Sequence, residues 1–141
     1  MSDEHVTLSG ELKEWLLNDP FPRMLGVEIL ELKPGYSRVR LKVTEQMTNI
    51  HGITHGGVVF TVADVAFGTA SNSRGVPAVG INMNISYLKK SVPGDELVAT
   101  AREENLTRHT GLYRITVENQ RGELVAVASG LVYRQNRQKE T

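Results

Sequence analysis

At 141 residues the chain is long enough for one domain with a full core, and sixteen acidic residues balance sixteen basic ones, which argues against a general binder of nucleic acid or membrane surfaces. It has no cysteine, which excludes disulfides, thiolate metal sites and a cysteine nucleophile. The opening MSDEHVTLSG lacks the basic-then-apolar pattern of a secretory signal, and no apolar run approaches ~20 residues, so a soluble cytoplasmic protein is expected. In chain order, Ser9 stands as an N-cap before ELKEWLLND, where Leu12, Trp15 and Leu16 share one face, and the spacing predicts a short amphipathic helix from about Gly10 to Asn18. Asp19-Pro20-Phe21-Pro22 ends it, because proline restricts the residue before it and cannot continue a helix. Two strands are predicted next, Leu25 to Lys33 and Tyr36 to Val43, joined by a tight turn at Pro34-Gly35.

The stretch from Asn49 to Gly75 is the centre of the chain. A turn-forming loop, Asn49 to Gly57, carries His51, His55 and three glycines, and an apolar helix is expected from about Val58 to Ser71. Its faces hold so little polarity that burial nearly all round is predicted. Asp64 breaks the pattern as the only ionisable side chain between His55 and Arg74. A buried carboxylate is unfavourable by several kcal/mol unless it is paired, hydrogen-bonded or used.

The remainder reads as strands. Ala78 to Leu88 alternates Ile81, Met83, Ile85 and Tyr87 against Asn82, Asn84 and Ser86. A turn at Val92-Pro93-Gly94-Asp95 leads into Glu96 to Asn105, Gly111 to Asn119 and Glu123 to Arg134, with a hairpin turn at Arg121-Gly122. The polar QNRQKET, from 135 on, and residues 1–8 are expected to be frayed tails of a single domain spanning 1–141. An apolar helix needs a wrapping, and the other elements offer one antiparallel sheet, so the predicted class is α+β with the sheet curled around the helix. Such a sheet has edges, and pairing them across a second copy makes a homodimer the minimum expectation.

The central stretch also carries chemistry. Gly56-Gly57 opens the helix, where the first N–H groups lack internal partners and the dipole favours an anion or a developing oxyanion. Glycines there let a ligand approach the backbone; the same pair also reads as a simple flexible cap. Asp64 lies eight residues on, ~12 Å along the helix axis, too far to act with Gly56 of its own chain on one carbonyl. Two helices lying antiparallel across a dimer bring the two groups together. An amide that polarises a carbonyl and a carboxylate that attacks it, or activates water, suits an activated acyl group, and a thioester above all because thiolate leaves unprotonated. The alternative for Asp64 is an interhelical hydrogen-bond partner. His51 and His55 are four apart in a loop with no Glu or Cys to complete a ligand set, so no metal is expected, and both read as loop-fixing residues. His5 and His109 are isolated. No G-x-S-x-G, G-x-G-x-x-G or P-loop occurs.

Asn49-x-x-Gly52-x-x-His55-Gly56-Gly57, followed by Ala63-Asp64 within the helix, resembles the hotdog-fold thioesterases of the PaaI type, named for phenylacetate degradation. The likeness extends over nearly the whole chain. It implies a sheet around a long helix, dimers pairing into homotetramers, and acyl-CoA sites at each dimer interface. By that likeness the Gly56 N–H polarises the thioester carbonyl, and Asp64 of the partner chain is nucleophile or general base. Asn49 positions thioester or water, His55 shapes the loop, and Gly57 allows close packing. Some relatives carry a serine after the helix to orient water; the matching position here is Gly80, with Asn82 as the neighbouring substitute. Lys89, Lys90, Arg108 and Arg134 are candidates to meet the CoA phosphates, Arg108 foremost. The acyl group is expected against the helix, Ile81 and Met83. No cofactor is implied, since coenzyme A is part of the substrate. The leading expectation is an acyl-CoA thioesterase acting on aryl or medium-length acyl groups. The alternatives are a non-catalytic acyl-CoA sensor and a hotdog dehydratase of hydroxyacyl thioesters. No basic helix-turn-helix segment is visible, so no nucleic-acid partner is expected.

Overall fold

The computed structural model describes residues 9–136. Helix α1 spans Gly10–Leu17, and the Ser9 carbonyl accepts the Lys13 N–H at 2.9 Å. Ser9 occupies the predicted cap position, but its hydroxyl makes no capping bond. Leu16 is buried and Leu12 and Leu17 pack on the core, whereas Trp15, expected on the same face, stays exposed. The predicted strand start at Leu25 is corrected. Pro20–Leu25 forms a second helix, α2, with Asp19 at its N-cap position and closed by Gly26 in the left-handed region at φ 87°. The proline that stops α1 is pre-organised for the first turn of the next helix, where its missing N–H has no partner to lose.

Strand β1 is Glu28–Lys33 and β2 is Tyr36–Lys42, paired antiparallel about Pro34-Gly35. The long helix α3 runs Gly56–Asn72, two residues earlier than its apolar pattern suggests, because both glycines are already helical. Strands β3 (Ala78–Tyr87), β4 (Glu96–Leu106), β5 (Thr110–Glu118) and β6 (Leu124–Arg134) follow. All six lie antiparallel in one sheet of order β1-β2-β4-β5-β6-β3.

Helix α3 touches every strand of the curved sheet, which is the α+β arrangement expected. Ala63, Ala66 and Ala70 are wholly buried, and their small side chains let the helix sit close against Val39, Leu97, Ile115 and Val117. Polar pins hold its far end. Asn72 Nδ2 donates to Ala78 O at 3.0 Å while Asn72 Oδ1 accepts the Ala78 N–H at 2.9 Å, fixing where β3 begins. The Ser37 and Thr69 hydroxyls meet at 2.6 Å in the core, satisfying both buried groups. The Gln135 N–H, at the start of the predicted tail, donates to Pro77 O.

Phe67 fixes the depth of the helix in the sheet. Its ring stands edge-on to Tyr113, with centroids 5.9 Å apart, and fills the space over Gly80 and Gly130. A Cβ on Gly130 would lie 2.6 Å from the ring, so Gly130→Ala is expected to destabilise the fold by about 1–3 kcal/mol, read as a lower urea midpoint at unchanged slope.

Two edges remain. Among the described residues β3 has only β6 beside it, and a bulge between Gly80 and Asn82 leaves Ile81 unpaired. Met83 and Ile85 pack on the core as their alternation predicts. Ile81 and Tyr87, assigned to the same face, are instead 56% and 53% exposed, because one lies in the bulge and the other at the strand's end.

Candidate active site

The loop before α3 is held by its own backbone and by Asn49. The Asn49 N–H donates to Ile53 O at 2.8 Å, and Asn49 Oδ1 accepts the N–H groups of His51 at 2.9 Å and Ile53 at 3.4 Å. Gly52, at φ 77°, makes the reversal that closes this turn. The His55 N–H donates to Met47 O, and Thr54 bonds Ser91 through both backbone and hydroxyl. The Asn49 carboxamide oxygen is thus spent on the loop, leaving its Nδ2 as the group available to a ligand.

His55 is the N-cap of α3. Its Nδ1 accepts the Gly57 N–H at 2.9 Å, which requires that nitrogen to be unprotonated, and its carbonyl accepts the N–H groups of Val58 and Val59. Of the orphan donors at the helix start, the N–H groups of His55, Gly57 and Val58 are therefore satisfied. Among the described residues, the Gly56 N–H has no acceptor. It stands at the positive end of a 17-residue helix with the Tyr87 ring alongside, 3.6 Å from where a Gly56 Cβ would be.

Further along, Phe60, Thr61, Asp64 and Gly68 recur at three- and four-residue spacing and line one wall of a cavity of ≈ 1200 Å³. The expected burial of α3 nearly all round is thereby corrected. This stripe faces α1 and α2 across open space, with Trp15 and Phe21 opposite. Thr61 turns its hydroxyl back to Gly57 O at 2.7 Å. Asp64 is exposed to the cavity and, among the described residues, has no hydrogen-bond or ion-pair partner. Partial desolvation by the surrounding wall, and then the negative charge of Asp19, raise its pKa above the ordinary carboxylate value.

Gly56 and Asp64 lie two turns apart on the same helix, and the single chain does not bring them together. Asn82 is not brought to Asp64 either. Its Oδ1 accepts from Asn84, which lines a depression with Glu104, Arg114 and Ser129, away from the Asp64 cavity. Gly80 abuts Phe67, whose ring already holds the place a serine side chain would take. The Asp64 cavity contains neither Ile81 nor Met83. Lys89 pairs with Glu123 at 3.6 Å, Lys90 is exposed beyond the β3 end that carries Tyr87, and Arg108 stands at the β4–β5 turn. There Thr107 and Thr110 bond each other at 2.6 Å, and Arg134 donates to Thr107 O, so these groups hold the turn. His109 stacks on Tyr133. The His51 side chain is exposed and makes no hydrogen bond among the described residues, so Asn49 fixes the loop in its place. His5 lies outside the described residues. No group of three or more metal-ligating side chains occurs among the described residues.

Trp15, Asp19, Phe21, Phe60 and Tyr87 escaped the sequence reading as site residues. The 60–61–64–68 spacing was a usable signal for Phe60. The N-terminal contributors depend on how α1 and α2 fold back, which no local pattern encodes.

Residues 51–126 match the family model described as the thioesterase superfamily. The chain belongs to that superfamily. As a thioester hydrolase of the PaaI type, it is 38% identical over 117 residues to acyl-coenzyme A thioesterase PaaI of Escherichia coli, covering 83% of this chain and 84% of that one. The solved E. coli PaaI superposes on this thioesterase with a TM-score of 0.85 at 36% identity, over 91% of this chain and 96% of that one. A putative esterase of Archaeoglobus fulgidus is 42% identical over 119 residues, 84% of this chain and 77% of its own. A Streptococcus mutans protein solved with acetyl CoA bound superposes at a TM-score of 0.75 and 31% identity, over 78% of this chain and 89% of that one.

Proposed function

We propose that the protein hydrolyses the thioester of aryl-CoA, phenylacetyl-CoA-like, or medium-chain acyl-CoA at a site shared by two copies of the chain. The observation that carries this reading is the unpartnered Asp64 carboxylate opening on a cavity from the same helix whose first N–H, on Gly56, is also without a partner. The relatives support the substrate class: one is a CoA thioesterase and another binds acetyl CoA.

In this reading the Gly56 N–H of one protomer donates to the thioester oxygen as it becomes an oxyanion, aided by the helix dipole. Asp64 of the other protomer attacks the carbonyl carbon, expelling CoA thiolate and leaving an acyl–aspartyl anhydride for water to open. Alternatively it takes a proton from water, whose hydroxide attacks. Asn49 Nδ2 lies on the loop that leads to Gly56, placed to orient thioester or water, and His55 and Gly57 keep the helix start in shape. The free β3 edge, with Val79, Ile81 and Tyr87 exposed, is the natural surface for pairing two copies, and two such dimers form the tetramer. Lys89, Lys90 and Arg108 remain the phosphate-binding candidates, and Gly80 and Asn82 take supporting places if the second copy completes their surroundings. Neither histidine of the loop favours dehydration: the His55 Nδ1 is committed to the cap and His51 is exposed in the loop.

The test is thiol release from a panel of aryl, medium-chain and short acyl-CoAs, with turnover expected to be highest for the first two. Binding of every ester without thiol release overturns the reading in favour of a sensor. The pH dependence follows from Asp64. It must be ionised to act, its pKa is raised, and kcat/KM is therefore expected to fall on acidification at a higher pH than an ordinary aspartate would give. Asp19→Asn removes the second cause of that shift and should move the acid limb downward, measured as a full pH–rate profile.

A further inference from the structure

The cavity in front of Asp64 has a one-sided charge. Besides Asp64 itself, Glu11 and Glu14 of α1 and Asp19 of the α1–α2 junction line it, and among the described residues no lysine, arginine or histidine does. Asp19 has no ion-pair partner among the described residues, and its side chain makes no capping bond on α2. The nearest cation along the chain, Arg23, donates to Asn18 Oδ1 at 2.8 Å, forms no ion pair with Asp19, and lines an adjoining depression that shares Asp19 and Pro22 with the cavity, though Arg23 itself does not line the cavity. The rings of Trp15, Phe21 and Phe60 line the same cavity. Such a wall favours uncharged carbon and opposes a second anion, which meets like charge with no cation among the described residues lining the cavity.

We propose that this wall is a charge filter on the acyl group, with Asp19 its principal residue: neutral aryl and alkyl thioesters enter, and acyl groups ending in a carboxylate are rejected. The filter rests on the thioesterase reading of the same cavity and adds a rule that reading does not contain. With the thioester carbon at Asp64, the acyl tail runs along Trp15 and Phe21, so a terminal carboxylate is carried towards Asp19 and Glu14. The CoA phosphates, themselves anionic, are excluded from this cavity by the same rule and must lie on another side of the helix.

The experiment compares hexanoyl-CoA with adipoyl-CoA, equal in chain length and differing in the terminal carboxylate. The wild-type ratio of kcat/KM is expected to favour hexanoyl-CoA by at least about tenfold and to shrink as salt is raised. Asp19→Asn combined with Glu14→Gln should lower that ratio several-fold, through gain on adipoyl-CoA. Asparagine remains a good N-cap for α2, so the variant should keep its fold. Equal wild-type efficiency on the two esters overturns the filter, as does a ratio unchanged by the double variant or insensitive to salt. If neither hexanoyl-CoA nor any other ester of the acyl-CoA panel is turned over, the thioesterase reading fails by itself. The ratio of calorimetric Kd values for the two esters, in wild type and variant, then decides the filter separately.

Discussion

Asp64→Asn is expected to lower kcat by at least about three orders of magnitude while leaving the protein folded and slightly more stable at neutral pH. The activity loss follows from chemistry, since a carboxamide neither attacks a thioester nor accepts a proton from water. The stability gain follows from the environment. An acid whose pKa is higher in the folded state than in the unfolded one holds its proton more tightly when folded, so ionisation subtracts stability. That penalty is absent below the unfolded pKa and complete above the folded one. Asp64 meets this condition through desolvation and the repulsion of Asp19, and no partner among the described residues offsets it. Asparagine keeps the shape and drops the charge. Thermal melts should therefore show Tm rising by on the order of a few degrees at pH 7, with the difference vanishing at acid pH. A variant that keeps near-full turnover and melts lower would make Asp64 an interhelical hydrogen-bond partner and remove it from the mechanism. Gain of stability with loss of turnover is the mark of a group held in an unfavourable place for its chemistry.

The elements that the sequence displayed most clearly were those whose signals are local. The alternation at Val39, Leu41 and Val43, the turn glycines and the apolar run of α3 each read directly onto strand, turn and helix. The His55-Gly56-Gly57 opening was legible as a helix start, and so was the isolation of Asp64 on an apolar surface. What stayed hidden was what the tertiary fold supplies. A helix at Pro20–Leu25 is only six residues long, and its prolines look like breakers unless one sees that the first of them occupies the opening turn. The open stripe of α3 was misread as buried because Phe60, Thr61 and Gly68 are uncharged; what they face is settled by the return of α1 and α2. Asn82 seemed one alternation from the site, and the bulge beside Ile81 shifts the register that assignment assumed. The resemblance to the PaaI-type enzymes supplied roles for Gly56 and Asp64 that spacing alone left open.

Gly56→Pro isolates the other half of the chemistry. Gly56 is the first residue of α3, a position proline favours because the N–H it lacks has no helical partner there. The residue before a proline must be extended, and His55 already is, at φ −61° and ψ 137°. An added Cβ at this position would meet the Tyr87 ring at 3.6 Å, an ordinary contact distance. The substitution deletes the one unbonded N–H and puts a ring carbon in its place, and kcat is expected to fall by at least about 10²–10³-fold, the usual loss for one oxyanion donor. Circular dichroism and melting should remain those of the parent. The geometry of α3 gives this variant a second use, because Gly56 and Asp64 stand ~12 Å apart on one helix and the proposed site pairs them across two. In a dimer of one Gly56→Pro chain and one Asp64→Asn chain, one of the two sites joins the intact Gly56 N–H of the second chain to the intact Asp64 of the first. The other site is defective in both. Co-refolding the two inactive variants in equal amounts should make half the dimers mixed, and half of their sites whole. Recovered activity is thus expected near about one quarter of wild type. If both groups served the same site from within one chain, every site in every mixture would lack one of them and no activity would return. Recovery on mixing is thus a direct measure of whether the thioester lies between two copies, and its absence in a mixture shown to exchange subunits would end the shared-site proposal.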